Sequence, residues 1–125
     1  MHAYEAIRSL ALKDYHKRVR EAHILRDHRS AASGKLRLLF KDSSFLDIYL
    51  SPSGKYSYHW ERRMLDGTVF RFDNAPHHPH IGIEHLHKGT EEAIVHYSIN
   101  ADPVEAFHEV MSFIERYFTD KERKS

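Results

Sequence analysis

Hydrophobic side chains recur with a helical period at both ends of the chain and with a strand period in between. Near the amino terminus this spacing predicts an amphipathic helix over residues 3–14. From Val19 onward the period changes, and short runs of alternating apolar and polar residues are separated by turn-forming residues. The predicted strands cover residues 36–40, 45–50, 56–61, 68–72 and 93–99.

The carboxyl-terminal part carries the strongest helical pattern. Asp102, Pro103 and Glu105 are the residues expected at an N-cap, a first helical position and a first turn. An apolar stripe follows as far as Phe118. Short connections place consecutive strands side by side and antiparallel. The sequence therefore predicts an α+β fold, in which an N-terminal and a C-terminal helix pack on one face of an antiparallel β-meander sheet, as a single domain over residues 1–125.

Composition excludes several kinds of protein. The chain has 19 Lys plus Arg against 18 Asp plus Glu, and this neutrality argues against a protein that coats nucleic acid through charge alone. It has no cysteine, which excludes disulfides and thiol catalysis. No run approaches the roughly 20 apolar residues of a membrane span, and no signal peptide is recognisable. A cytoplasmic protein without membrane contact is expected.

Histidines are concentrated in one stretch. The run RFDNAPHHPH at residues 71–80 is followed by HLH at 85–87, so five of the chain's twelve histidines fall within eleven positions. Histidine titrates near neutral pH and is the commonest metal ligand, and prolines on either side would stiffen a loop here. A loop of this composition is typical of a site for chemistry or ligand binding. The alternative is a solvated polar loop that happens to be rich in histidine.

The strand before this loop predicts which side chains join it. Arg71 and Asp73 would point to one face and Phe70 and Phe72 to the other, so a buried pair of phenylalanines leaves the charged pair on the open face. His59 in the preceding strand would lie on the same side. The alternative is an ordinary surface ion pair.

Two chemistries fit these residues. His85 and His87 are two apart and could share a metal, with a third ligand from His77, His78 or Asp73. Without a metal, two histidines and an arginine have the groups needed to cleave RNA by attack of its 2′-hydroxyl. No metal or other cofactor is predicted, and the metal site stays an alternative. The alternating aromatic strand could stack bases if exposed, but a core role is favoured; its residues are Tyr56, Tyr58 and Trp60.

Three segments resemble the TumE-like family, the toxin half of a prokaryotic toxin–antitoxin pair. They are YSYHW at residues 56–60, RFDNAPHH at 71–78 and HLHK at 85–88, and the resemblance covers roughly residues 34–118. Glu84 departs from the family pattern, which has proline before the H-x-H pair. By this resemblance the site residues are Arg71, Asp73, Asn74, His77, His85 and His87.

The resemblance implies a toxin-like protein paired with an antitoxin, which is expected to be a small DNA-binding protein. From the histidines and Arg71 we hypothesise that this toxin cleaves or binds RNA through its His-rich loop. The mechanistic hypothesis is a metal-independent endoribonuclease, in which His77 and either His85 or His87 act as acid and base. Arg71 would hold the phosphate, and Asp73 and Asn74 would orient the loop. The alternative is a non-catalytic regulatory domain that binds a metal or a partner. The sequence leaves open whether the protein is an enzyme and whether it forms a homodimer.

Overall fold

The structure is a computed structural model that describes residues 2–27, 30–75 and 84–124. Within these residues, three helices accompany a seven-stranded antiparallel sheet whose strand order follows the chain order. The predicted α+β meander is thereby confirmed. The elements are α1 (His2–Asp14), β1 (Val19–Asp27), β2 (Ser30–Phe40), β3 (Phe45–Leu50), β4 (Tyr56–Arg62), α2 (Arg63–Asp66), β5 (Thr68–Asp73), β6 (His85–Gly89), β7 (Ile94–His96) and α3 (Pro103–Lys124).

One face of the sheet forms the hydrophobic core. Alternation along β4 turns Tyr58 and Trp60 into this core, where each is only 1% exposed. The Trp60 indole donates a hydrogen bond to Ser44 Oγ at 3.0 Å, so its polar atom is satisfied despite burial. The core role predicted for the aromatic strand is confirmed. The idea that this strand is exposed for base stacking is wrong for Tyr58 and Trp60, because these rings are covered.

Both long helices pack on that face. On α1, Ile7 and Ala11 are fully buried, and the Tyr4 hydroxyl accepts a hydrogen bond from the backbone N–H of Leu50 at 2.9 Å. At the start of α3, Asp102 Oδ2 accepts the backbone N–H of Glu105 at 3.0 Å, which confirms the predicted N-cap. The buried residues of α3 are Ala106, Phe107, Val110, Met111 and Ile114. No helix in the described part of the chain is long and apolar enough to cross a membrane.

The meander does not stop at the histidine-rich region. The prediction that a loop interrupts it there is wrong for His85 and His87, which lie in β6 and pair with β5. The segment HLHKG has one aliphatic side chain and no β-branched residue, so local propensity gives no strand signal, and pairing with β5 decides its conformation. The last strand, β7, is shorter than the predicted 93–99. Residues 76–83, with His77, His78 and His80, lie outside the described residues.

Candidate functional site

The second face of the sheet carries a row of polar side chains. His59 on β4, Arg71 on β5 and His87 on β6 are register partners, each directly opposite the next. Asp73 and His85 form the neighbouring pair of β5 and β6. The prediction that Arg71, Asp73 and His59 share the open face is therefore confirmed.

Arg71 is held at the centre of this row by two carboxylates. Its Nε donates to Asp73 Oδ2 at 2.9 Å and its Nη1 donates to Glu91 Oε1 at 2.7 Å. Its Nη2 lies 2.7 Å from Glu91 Oε2 and 3.2 Å from His87 Nε2. One quarter of the side chain remains exposed. We call Arg71, Asp73, His85, His87 and Glu91 the Arg71 cluster.

Asp73 is ionised although it is buried. It accepts hydrogen bonds from Arg71, from His85 Nδ1 at 3.1 Å and, more weakly, from the backbone N–H of Ala75 at 3.4 Å. Burial alone would raise the pKa of Asp73, but the hydrogen bonds from Arg71 and His85 lower it below its ordinary value. The interpretation as an ordinary surface ion pair is wrong, because the carboxylate is almost completely enclosed.

The two histidines of β6 are buried as well. His85 is fully covered and the His87 side chain is 6% exposed, so the alternative of a solvated polar loop is wrong for both. The His87 Nδ1 atom lies 2.9 Å from the Glu91 carbonyl oxygen, which can only accept, so Nδ1 carries the hydrogen. When His87 is neutral, its Nε2 can accept a hydrogen bond from Arg71 Nη2 at 3.2 Å. When His87 is protonated, its Nε2 can donate to the Asp73 carboxylate at 3.2 Å. The site accommodates either state of His87.

Asn74 faces a different part of the molecule. Its Oδ1 accepts the backbone N–H of Tyr56 at 2.9 Å, and its Nδ2 donates to the carbonyl oxygen of Gly54 at 2.9 Å. These bonds tie the end of β5 to the β3–β4 connection. Asn74 therefore fixes the point from which the chain leaves toward residue 76.

Two contacts of this region were not predicted from the sequence. Glu91 closes the Arg71 cluster from the turn after β6, and a lone glutamate in a turn carries no local signal for that role. Tyr56 donates its hydroxyl to Glu84 Oε2 at 2.6 Å. Burial raises the pKa of the Tyr56 hydroxyl, and Glu84 raises it further. Glu84, the departure from the family pattern, thus links β4 to the start of β6.

Metal-binding geometry is not present in the described residues. No group of three or more His, Asp or Glu side chains among them is arranged to hold a metal ion. Asp73, His85 and His87 instead form hydrogen bonds and ion-pair contacts with one another. The further ligands considered from the sequence, His77 and His78, lie outside those residues.

Fold and site together define a small α+β protein that carries a largely buried arginine–carboxylate–histidine cluster on the face of its meander sheet opposite the two long helices. A family model described as Toxin TumE matches residues 8–118, which is most of the chain, so the protein belongs to the TumE toxin family. This membership implies the toxin component of a toxin–antitoxin module, with an antitoxin as its partner. Comparisons with curated proteins and with solved structures found no match.

Proposed function

We propose that this toxin acts on RNA, cleaving it without a metal at the Arg71 cluster. The observation that carries the proposal is a partly exposed guanidinium with a histidine beside it whose Nε2 faces both a donor and a carboxylate. A guanidinium suits a phosphate diester, because its fork of donors matches phosphate oxygens. An imidazole nitrogen placed between a donor and a carboxylate can accept or deliver a proton during a reaction.

The proposed reaction is transfer of the phosphoryl group to the neighbouring 2′-oxygen. The 2′-hydroxyl loses its proton to a base, its oxygen bonds to phosphorus, and the bond from phosphorus to the 5′-oxygen breaks. An acid protonates that departing oxygen. The products are a 2′,3′-cyclic phosphate and a 5′-hydroxyl, and no oxidant or metal is needed for the balance.

The residues divide into groups that touch the substrate and groups that position them. Arg71 would bind the phosphate, and His87 would exchange a proton through Nε2. His85 is fully buried on Asp73, so it would position that carboxylate rather than meet the RNA. Asn74 would fix the outgoing chain. The second proton-transfer group is a histidine near the phosphate, and His77, favoured by the sequence, is one candidate.

Binding of a phosphate requires one exchange of partners. Glu91 occupies two donors of Arg71, and its side chain is one-third exposed at the end of a turn. The phosphate would displace Glu91, while Asp73 keeps its bond to Arg71 Nε from the buried side. The antitoxin is proposed to be a small DNA-binding protein, and the site of action is proposed to be the cytoplasm, where RNA is made.

The test is RNA cleavage by the purified protein, with and without a chelator, for wild type and Arg71→Lys. Lysine keeps the charge but not the fork of donors, so we expect a loss of about 10²–10³-fold. Arg37→Lys is the matched control, because Arg37 lies on the same face and makes a two-pronged bond to Asp47 at 2.8 and 2.9 Å. Absence of cleavage by wild type, or equal activity of both variants, would overturn the proposal.

A further inference from the structure

His59 stands on the other side of Arg71 from His87. Register pairs His59 with Arg71 and Arg71 with His87, so an imidazole flanks the guanidinium on each neighbouring strand. Strands lie about 4.8 Å apart, which puts roughly 10 Å between the two outer backbones. A phosphate held by Arg71 would sit between the two rings. In-line transfer needs its base and its acid on opposite sides of phosphorus, because the attacking and departing oxygens are opposite.

His59 is also the more accessible of these histidines. Its side chain is 20% exposed, against 6% for His87 and none for His85. A group that protonates the departing oxygen must reach solvent-facing substrate, and His59 meets that requirement. Of the other two described histidines of the site, His85 is fully enclosed, whereas His87 keeps a small exposed fraction and has its Nε2 3.2 Å from Arg71 Nη2, where a bound phosphate would lie.

The orientation of the His59 ring is set by Glu61 on the same strand face. His59 Nε2 lies 3.0 Å from Glu61 Oε1. The hydrogen bond from Arg63 lowers the pKa of Glu61 to about 2, so Glu61 is a carboxylate at neutral pH and accepts the Nε2 hydrogen. Nδ1 is then the His59 nitrogen that can take on or release a second proton.

We infer that His59 is the general acid for an RNA phosphodiester bound at Arg71, with His87 as the base; this inference rests on the proposed function. His87 Nε2 takes the 2′-hydroxyl proton as the bond from the 2′-oxygen to phosphorus forms. The bond to the 5′-oxygen breaks, and His59 Nδ1–H gives that oxygen its proton. His59 leaves the step neutral and His87 leaves it protonated. His77 is not required for this proton transfer.

The first arm of the test compares His59→Asn with His23→Asn in the intact chain. His23 is a close match, because it lies in the same row on β1 with its Nε2 3.0 Å from Glu21 Oε1 two positions away. General acid catalysis contributes typically 10²–10⁴-fold, and a loss of about that size in kcat is expected for His59→Asn alone. KM should change little, since Arg71 still holds the phosphate.

The second arm separates proton donation from a structural role. A substrate with a 4-nitrophenolate leaving group at the 3′-phosphate needs no acid, so His59→Asn should approach wild-type rates on it. His87→Asn should stay slow on both substrates, because the base is needed in each. Failure of the nitrophenyl substrate to restore His59→Asn would overturn the acid role.

The pH profile gives a third readout. A general acid must be protonated, so the wild-type rate on RNA should fall at high pH, and this fall should be absent in His59→Asn. The charged groups around His59 that set the position of that fall are Asp47 on β3, Glu61 on β4, Arg71 on β5 and Glu91 after β6.

The outcomes distinguish the inference from the function on which it rests. Cleavage by wild type, loss in Arg71→Lys and full activity in His59→Asn would overturn the role of His59 and leave the RNA function standing. Full activity of His59→Asn together with a large loss in His77→Ala would move the acid to the 76–83 segment. No cleavage by wild type would overturn both.

Discussion

Two arginines on neighbouring strands of this sheet each bind two carboxylates, yet Arg62 is buried and Arg71 is partly exposed. Arg62 donates from Nη1 to Asp42 at 2.6 Å and from Nε to Asp66 at 3.2 Å, and its side chain is 6% exposed. Its guanidinium lies 4.8 Å from the Trp60 ring centre and 5.0 Å from that of Tyr117. Arg71 has equivalent carboxylate partners but is one-quarter exposed and has a histidine at its side.

The difference separates a structural pair from a candidate site. Asp66, the partner of Arg62, also accepts hydrogen bonds from the Tyr117 hydroxyl and from Lys121 Nζ, so it joins the β4–β5 connection to α3. Every side of Arg62 is therefore used for packing. The hydrogen-bond partners of Arg71 among the described residues come from β5, β6 and the turn after β6, and one quarter of its side chain is exposed. A charged group becomes available for chemistry when the fold holds it firmly but leaves one side uncovered.

The largest contrast should appear in stability when each arginine is removed. Arg62→Ala leaves the carboxylates of Asp42 and Asp66 without their buried cation, and we expect a loss of about 3–5 kcal/mol in the free energy of unfolding. Arg71→Ala should cost about 1–2 kcal/mol, because His85 still bonds to Asp73 and removal of the partly exposed Arg71 side chain lets solvent reach the carboxylate. Urea unfolding of the two variants measures the difference. Equal losses would mean that the Arg71 cluster is a structural pair like its neighbour.

This contrast could be predicted from the sequence only in part. Alternation over Phe70–Asp73 is local, and it predicted correctly that Arg71 and Asp73 share the open face. The same rule puts Arg62 on the core face, where an arginine is unexpected, and nothing local reveals that aromatic rings of α3 will surround it. Contacts of this kind depend on residues more than 50 positions apart.

The candidate site shows the same limit. The cluster of histidines was visible in the sequence. That His85 and His87 belong to a strand was not visible, because β6 becomes a strand only by pairing with β5. Glu91 was missed since a turn glutamate has no pattern. His59 was placed on the correct face from alternation, whereas its partnership with Glu61 and its position across Arg71 needed the register of three strands.

A smaller effect should appear in how the free energy of unfolding changes with pH when wild type is compared with Asp73→Asn, which removes the charge. The folded-state pKa of Asp73 is lowered, so its contribution to stability is present above the unfolded value of about 3.9 and is lost as the pH falls through the folded value. Asp73→Asn should therefore be destabilised at pH 7, by about 1–3 kcal/mol. The gap to wild type should close below roughly pH 4.

Urea unfolding at several pH values between neutral and acid checks this convergence. Asp66→Asn is the matched control, because burial alone would raise the pKa of Asp66 but hydrogen bonds from Lys121 and Thr68 lower it. Both aspartates should show the same direction with pH, whereas only Asp73→Asn should impair RNA cleavage. A gap for Asp73→Asn that stays constant into acid would show that its charge contributes nothing to stability.

The smallest expected effect concerns Glu91, the partner of Arg71 that a bound phosphate would displace. Glu91→Gln keeps the side-chain shape and the backbone carbonyl that holds His87, but removes the negative charge next to the guanidinium. An incoming phosphate would then meet less competition. Binding should tighten by about 1 kcal/mol, or roughly fivefold.

Fluorescence anisotropy with a 2′-O-methylated RNA measures this binding without cleavage. Glu92→Gln is the control. Glu92 is exposed next to Glu91, so this substitution removes the same charge without removing a bond to Arg71. A long-range charge effect would tighten binding equally in both variants and would disappear at high salt, since exposed charges are screened. A gain confined to Glu91→Gln would show that this carboxylate occupies the place of the phosphate. Weaker binding in Glu91→Gln would mean that Glu91 holds Arg71 in its binding orientation and is not displaced by the phosphate. Glu91 would then be a structural partner of Arg71, as Asp42 and Asp66 are of Arg62.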